Sequence, residues 1–246
     1  MKIIVITGAS DGIGAEMARQ LAGREGADVG LVLAARDERK LGEVSDHCLA
    51  LGARVLVVRM DVSVEAECRQ LINAAVAHFG RLDALINNAG MSAQALFEDV
   101  KATDLAWYEQ LMRINFWGAV WCTHAALPFL KQNRGSIVAV SSLAGLIGVP
   151  GRTAYSASKF AMTGFFEALR AELKTAGVSV TTAYPGVVAT QIRYHGFNAA
   201  GQAANAAGNT GLATPKSRMV VCFPSGSKRP FYSKPEKELF PEYQAT

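Results

Sequence analysis

The sequence predicts a single α/β domain built on a doubly wound parallel sheet, followed by an atypical proline-rich C-terminal tail. Three observations predict it. Short apolar runs alternate with helix-patterned segments from Ile3 to Ala183. A glycine triplet joins the first apolar run to the first helical pattern. The chain has 246 residues, 50% of them hydrophobic, which is enough for one large domain with a substantial core and does not require two.

Each element has its own warrant. Ile3-Ile4-Val5-Ile6 reads as a fully buried strand, and Ile13 to Leu21 follows with helical spacing. Val29 to Ala34 and Ala53 to Arg59 are the second and third β-rich runs. Ala66 to Phe79 reads as a helix with Leu71, Ala75 and Val76 on one side. Ala84 to Asn87 is a short fourth strand, Leu105 to Leu130 a long helical region and Ser136 to Val140 a fifth strand. Ala154 to Thr175 is a further helix and Val178 to Ala183 a sixth strand. Short, uniformly apolar strands separated by helices imply a parallel sheet covered on both faces. Right-handed crossovers then wind it in both directions.

Residues 1–195 form the dinucleotide-binding and catalytic body in this reading, and 196–246 a lid and divergent terminal segment of the same domain. Residues 196–213 are rich in Ala, Gly and Asn, and five of the eight prolines lie from Pro215 onward. Met219 to Phe223 has strand character, with no helical pattern after it. The region reads either as a mobile lid with an ordered tail or as partly disordered.

Composition narrows the function. The net charge is +4, and residues 215–246 hold six Lys/Arg against three Asp/Glu, so the body is close to neutral. It carries no basic stripe of the kind that binds nucleic acid. Cys48, Cys68, Cys122 and Cys222 are scattered with no Cys-x-x-Cys pair, which argues against zinc and redox motifs and predicts no metal. No 18-residue apolar run, basic leader or cleavage site is found, so no membrane span and a cytoplasmic location are expected.

Thr7-Gly8-Ala9-Ser10-Asp11-Gly12-Ile13-Gly14 lies between the first strand and the first helix. Glycines allow a tight turn and the close approach of a pyrophosphate, and the helix N-terminus offers N–H groups and a positive dipole end. At the end of the second strand an acid would bind a ribose 2′-hydroxyl and favour NAD. The strand ends instead in Leu33-Ala34-Ala35-Arg36, and a guanidinium suits a 2′-phosphate. NADP(H) is therefore preferred, with NAD(H) as the alternative, because Asp37 and Asp11 bring negative charge to the same place.

Tyr155 and Lys159 stand four residues apart on one helix face. A neighbouring ammonium favours the phenolate, which makes the pair an acid/base device for an oxygen-bound proton. The competing reading is a solvated Lys beside a half-buried Tyr.

With these motifs in order, the chain resembles the short-chain dehydrogenase/reductase family, from Lys2 to about Thr190. Thr7-Gly8, Gly12 and Gly14 match its glycine loop, which Ser10 and Ile13 share. Asp61-Val62 resembles its adenine-contacting pair, and Asn87-Asn88-Ala89-Gly90 its fourth-strand motif. Asn115 and Ser142 precede Tyr155 by forty and thirteen residues, where the family carries its catalytic Asn and Ser. Pro185-Gly186, with Val188 and Thr190, resembles the stretch that meets the nicotinamide.

The resemblance implies a Rossmann fold and hydride exchange between NADP(H) and a carbonyl or secondary alcohol. Tyr155 would act as acid or base, Lys159 would assist it and bind the nicotinamide ribose, Ser142 would hold the substrate oxygen, and Asn115 would position a water. Only spacing separates Ser142 from Ser141, and Asn115 could equally bond a neighbouring backbone. The family's usual C-terminal ending is missing. A carbonyl reductase or alcohol dehydrogenase acting on a lipophilic small molecule is expected. A sensor or scaffold, or an epimerase or dehydratase, are the alternatives.

Specificity is expected from Met91 to Phe97, Leu143 to Arg152 and Val187 to Gly211, with Leu146, Ile147, Val149 and Phe197 supplying apolar surface. Tyr194 and His195 could touch substrate or lie on a surface loop. Trp117, Trp121, Phe165 and Phe166 put apolar residues on more than one helix side, which in this family implies a homodimer or homotetramer, though packing on the sheet explains part of the pattern equally well.

Overall fold

Six strands form one parallel sheet in the computed structural model, which describes residues 1–186, 188, 190, 192 and 196–203. They are β1 (Lys2–Thr7), β2 (Val29–Ala35), β3 (Arg54–Arg59), β4 (Ala84–Asn87), β5 (Ser136–Val140) and β6 (Ser179–Ala183). Their spatial order is β3-β2-β1-β4-β5-β6. The chain winds outward from β1 to β3, returns to place β4 beside β1, and winds outward the other way. In such a sheet a crevice opens past the carboxyl ends of the strands where the winding reverses. Here that point lies between β1 and β4, where Ile6 pairs with Ile86.

Alternation within each strand divides the core into two layers. Ile3 and Val5 of β1, and Val32 and Ala34 of β2, face one layer. Ile6 of β1, and Leu31 and Leu33 of β2, face the other. Both layers are apolar because both faces are covered, so these strands read as unbroken apolar runs. The first layer is closed by α3 (Glu65–Phe79), α5 (Gly118–Asn133) and α6 (Thr153–Glu172), through Leu71, Ile72, Leu130, Met162 and Phe166. The second is closed by α1 (Gly12–Glu25) and α2 (Glu38–Ala50), through Ala18, Ala22, Leu41, Val44 and Cys48. Full burial of a side chain such as Leu71 or Phe166 contributes about 1.5–3 kcal/mol each.

The helix α2 was not expected from the sequence pattern. Its signals were nevertheless present. Asp37 caps it, its carboxylate accepting from Lys40 N at 3.0 Å. Leu41, Val44 and Cys48 then bury one face of a helix otherwise dense in charge. The long helix expected from Leu105 is divided. α4 (Ala106–Met112) passes into α5 through a π-helical turn, Arg113–Trp117. The helix expected over Ala154 to Thr175 stops at Glu172. The strand pattern at Met219–Phe223 lies outside the described residues.

Candidate active site

The crevice is a cleft of about 430 Å³, within the usual range for a small-molecule site. Its floor is the glycine loop. Gly8 has φ +67°, and a Cβ on it would stand 2.8 Å from Ala89 Cα. A Cβ on Gly14 would stand 2.3 Å from Gly8 O and 2.5 Å from Asn88 Nδ2. Neither position admits a side chain, because the loop after β1 and the loop after β4 are pressed together. Thr7 and Asn88 hold them so. Thr7 Oγ1 accepts from Asn88 N and Ala89 N, each at 3.1 Å. Asn88 Nδ2 donates to Thr7 O at 3.0 Å and Gly8 O at 3.1 Å.

Gly8, Ser10, Asp11, Gly12 and Ile13 line this end of the cleft, while Gly14 sits behind Gly8. Asp11 caps α1 by accepting from Gly12 N at 2.6 Å. Its negative charge is matched by Lys40, whose Nζ lies 2.8 Å from Asp11 Oδ2. Arg36 and Asp61 face each other across the same end, 3.9 Å apart, with the Arg36 side chain 63% exposed. Val62 completes this wall with Met60. Asp61 also accepts from Ser63 N at 2.8 Å, which folds the turn after β3. Lys40 was missed by sequence reading because it reaches the cleft only from the first turn of the unexpected α2.

The other end gathers the remaining residues. Asn88, Ala89 and Gly90 follow β4, Ser141 and Ser142 follow β5, and Pro185, Gly186, Val188 and Thr190 follow β6. Tyr155 and Lys159 project from α6 into the same space. The two adjacent serines are now distinguished. Ser141 Oγ turns to α6, donating to Lys159 O at 3.2 Å and approaching Thr163 Oγ1 at the same distance. Ser142 shares a hydrogen bond with Tyr155 and accepts from Ala144 N at 3.2 Å.

Lys159 is 3% exposed, so the reading of a solvated lysine fails. Its Nζ donates to Val140 O at 2.9 Å and lies 5.9 Å from the centroid of the Tyr155 ring. Burial pulls its ammonium down from 10.5 to about 8. Burial also pushes the Tyr155 phenol above its ordinary value, against the Ser142 hydrogen bond and the Arg152 charge, which pull it down.

Asn115 does not line the cleft. The π-helical turn carries it inward to full burial, a common use of such turns at functional sites. Its Oδ1 accepts from Met91 N at 2.7 Å, and its Nδ2 donates to Met91 O at 3.0 Å and Ser158 Oγ at 2.9 Å. Asn115 thus clamps the loop after β4 to the helix that carries Tyr155 and Lys159. Met91, Ile114 and Ile192 are apolar lining residues, of which Met91 and Ile192 fell in expected specificity segments and Ile114 did not. Phe197 pairs with the loop after β4, with Gln94 N donating to Phe197 O at 2.9 Å. It also packs against Trp107 at 5.7 Å between ring centroids. Tyr194 and His195 lie outside the described residues.

A doubly wound sheet with a glycine-floored cleft at its switch point defines a dinucleotide-binding class of domain, and the residues present fit such a cofactor. The loop admits no side chain where a pyrophosphate would approach, and Lys40 offsets the acid beside it. Comparison with known proteins makes the assignment specific. The short chain dehydrogenase family profile matches residues 2–199, so the chain belongs to that family. It is 45% identical over 188 residues to 11-beta-hydroxysteroid dehydrogenase-like 4A of Arabidopsis thaliana, covering 76% of this chain and 61% of that one. It is 42% identical over 202 residues to 11-beta-hydroxysteroid dehydrogenase A of Sesamum indicum, covering 82% and 56%. The chain thus spans about three fifths of the length of the curated relatives it matches. A crystal structure of a Burkholderia phymatum short chain dehydrogenase/reductase in complex with NAD superposes with a TM-score of 0.72 at 35% identity, covering 78% of this chain and 68% of that one.

Proposed function

We propose that this protein is an NADP(H)-dependent oxidoreductase that interconverts a carbonyl and a secondary alcohol on a lipophilic substrate. The observation that carries it is the convergence of Tyr155, Ser142 and Lys159 on the cleft floored by the glycine loop. The plant relatives are named as a hydroxysteroid dehydrogenase and a hydroxysteroid dehydrogenase-like protein, which supports a lipophilic alcohol, as do the apolar lining residues Met91, Ile114 and Ile192. Arg36 and Lys40 support NADP(H), since both place cations at the end of the cleft where a 2′-phosphate would lie. NAD(H) is the second reading, because Asp61 and Asp11 partner those same two cations.

The bound nicotinamide supplies or accepts the hydride. The chain supplies position and a proton. The Tyr155 hydroxyl gives its proton to the substrate oxygen in reduction and takes one in oxidation. Ser142, which stands beside the Tyr155 hydroxyl, turns its one proton from the phenol to the substrate oxygen and fixes that oxygen beside Tyr155. Lys159 brings positive charge beneath the phenol and a donor for the nicotinamide ribose. Asn115 keeps α6 in register with the loop after β4 through its bonds to Met91 and Ser158. Exposed Trp117 on the π-helical turn and Phe160 on α6 support a homo-oligomeric assembly through this side of the domain.

The test is a panel of hydroxysteroids, retinoids and other lipophilic alcohols and ketones with NADP or NADPH, followed at the reduced-nicotinamide absorbance. Turnover is expected, and Tyr155→Phe is expected to lower kcat by about 10²–10⁴-fold with cofactor binding kept. Tight NADPH binding without turnover on any member would favour a sensor instead. Near-normal turnover by Tyr155→Phe would move the chemistry to another residue, as in an epimerase or dehydratase.

A further inference from the structure

The loop residue Arg152 has no part in the proton transfer described so far, yet it lies against its central group. Its guanidinium carbon lies 5.8 Å from the centroid of the Tyr155 ring. It is held there from the far side of the cleft mouth. Arg152 NH1 donates to Ser92 Oγ at 3.1 Å, and NH2 reaches Gln94 Oε1 at 3.5 Å. The backbone repeats the tie, with Ala95 N donating to Gly151 O at 2.9 Å. The charge is therefore fixed between two of the segments expected to set specificity, rather than swinging in solvent.

We propose that Arg152 is a positioning residue for proton transfer, clamped by Ser92 and Gln94 so that its permanent positive charge stabilises the negative charge gathering on the Tyr155 oxygen. This rests on Tyr155 being the proton donor and acceptor. Among the described residues, the charged and titratable groups around Tyr155 are Arg152 just before α6, Lys159 from α6 and Tyr108 from α4, which packs against the same apolar cluster. The Tyr108 hydroxyl is engaged with Thr153 Oγ1 at 2.7 Å. Lys159 loses its proton near pH 8 through burial. A guanidinium keeps its charge throughout the working range. Above pH 8, then, Arg152 is the cation that persists beside the phenol, and its charge pulls the phenol down against burial.

A unit charge about 6 Å from the ring, at an effective dielectric of about 40, is worth about one pH unit on the phenol, or about tenfold in phenolate. The protein is labelled with ¹³Cζ-tyrosine, and the Tyr155 resonance is assigned by its loss in Tyr155→Phe. In Arg152→Gln its titration is expected to move up by about one pH unit. The rising limb of the pH profile for alcohol oxidation, where Tyr155 must lose its proton to act as base, should move with it on any panel member that turns over, while KM changes less than kcat. Arg152→Lys, which keeps the charge, should restore both. Arg152→Met gives a second neutral variant if the Gln variant does not fold. An unmoved Tyr155 titration in the neutral variants overturns the proposal, as does an equal shift in Arg152→Lys. Full activity of Tyr155→Phe is a separate result that removes the assignment of Tyr155 itself and leaves the titration readout intact.

Discussion

Replacing Lys159 with Met tests the electrostatics of the site without any substrate. The lysine is buried, and its ammonium falls from 10.5 to about 8 for that reason. A fall of that size costs the charged form about 3 kcal/mol. The sign follows from proton counts. The folded state releases the Lys159 proton near pH 8, whereas the unfolded chain holds it to about 10.5, so between these values the unfolded state binds more protons and stability rises with pH. Below pH 8 both states are charged and the full penalty remains. Met fills a similar volume and never ionises, so Lys159→Met lacks this rise. It also loses the bond to Val140 O, which costs about 1–3 kcal/mol at every pH. The absolute difference between the proteins is therefore small, and its pH dependence is the diagnostic. Urea unfolding at pH 7 and pH 9.5 should show the native protein gaining about 2 kcal/mol on the variant. A gap that stays constant across that range would refute the reasoning, because it would mean that the ammonium carries no burial penalty.

Two further substitutions address the cofactor. Gly14→Ala places a methyl 2.3 Å from Gly8 O, so the helix must move off the loop, and NADPH affinity should fall at least about tenfold in a fluorescence titration. Arg36→Ala should weaken NADPH by about 1–2 kcal/mol while leaving NADH nearly unchanged, since it removes a charged partner for a 2′-phosphate; equal losses for both cofactors would favour the NAD(H) reading.

The parts of this protein legible in its sequence are those encoded by local pattern. Ile3 to Ile6 and Val29 to Ala34 are apolar without alternation because both faces of a parallel sheet are buried, and they were readable as strands for that reason. The glycine loop was readable because glycine has few other reasons to recur between a strand and a helix. The helix α2 carried its own signals, in the Asp37 cap and the spacing of Leu41, Val44 and Cys48, but its charge-rich sequence hid them.

The sequence by itself determined the sheet, the glycine cradle and the pairing of Tyr155 with Lys159 on one helix face. Those depend on side-chain periodicity and on backbone freedom, which neighbouring residues set. Tertiary structure alone decided which serine meets Tyr155. Ser141 and Ser142 are chemically identical, and only the pleat at the end of β5 sends one to Thr163 and the other to the phenol. It also decided that Asn115 is a buried clamp, because one π-helical turn rotates it off the helix surface. And it brought Lys40 to Asp11 and Arg152 to Ser92. Side chains separated by 29 and 60 positions meet only after the crossovers have folded, and no local pattern records such a distance.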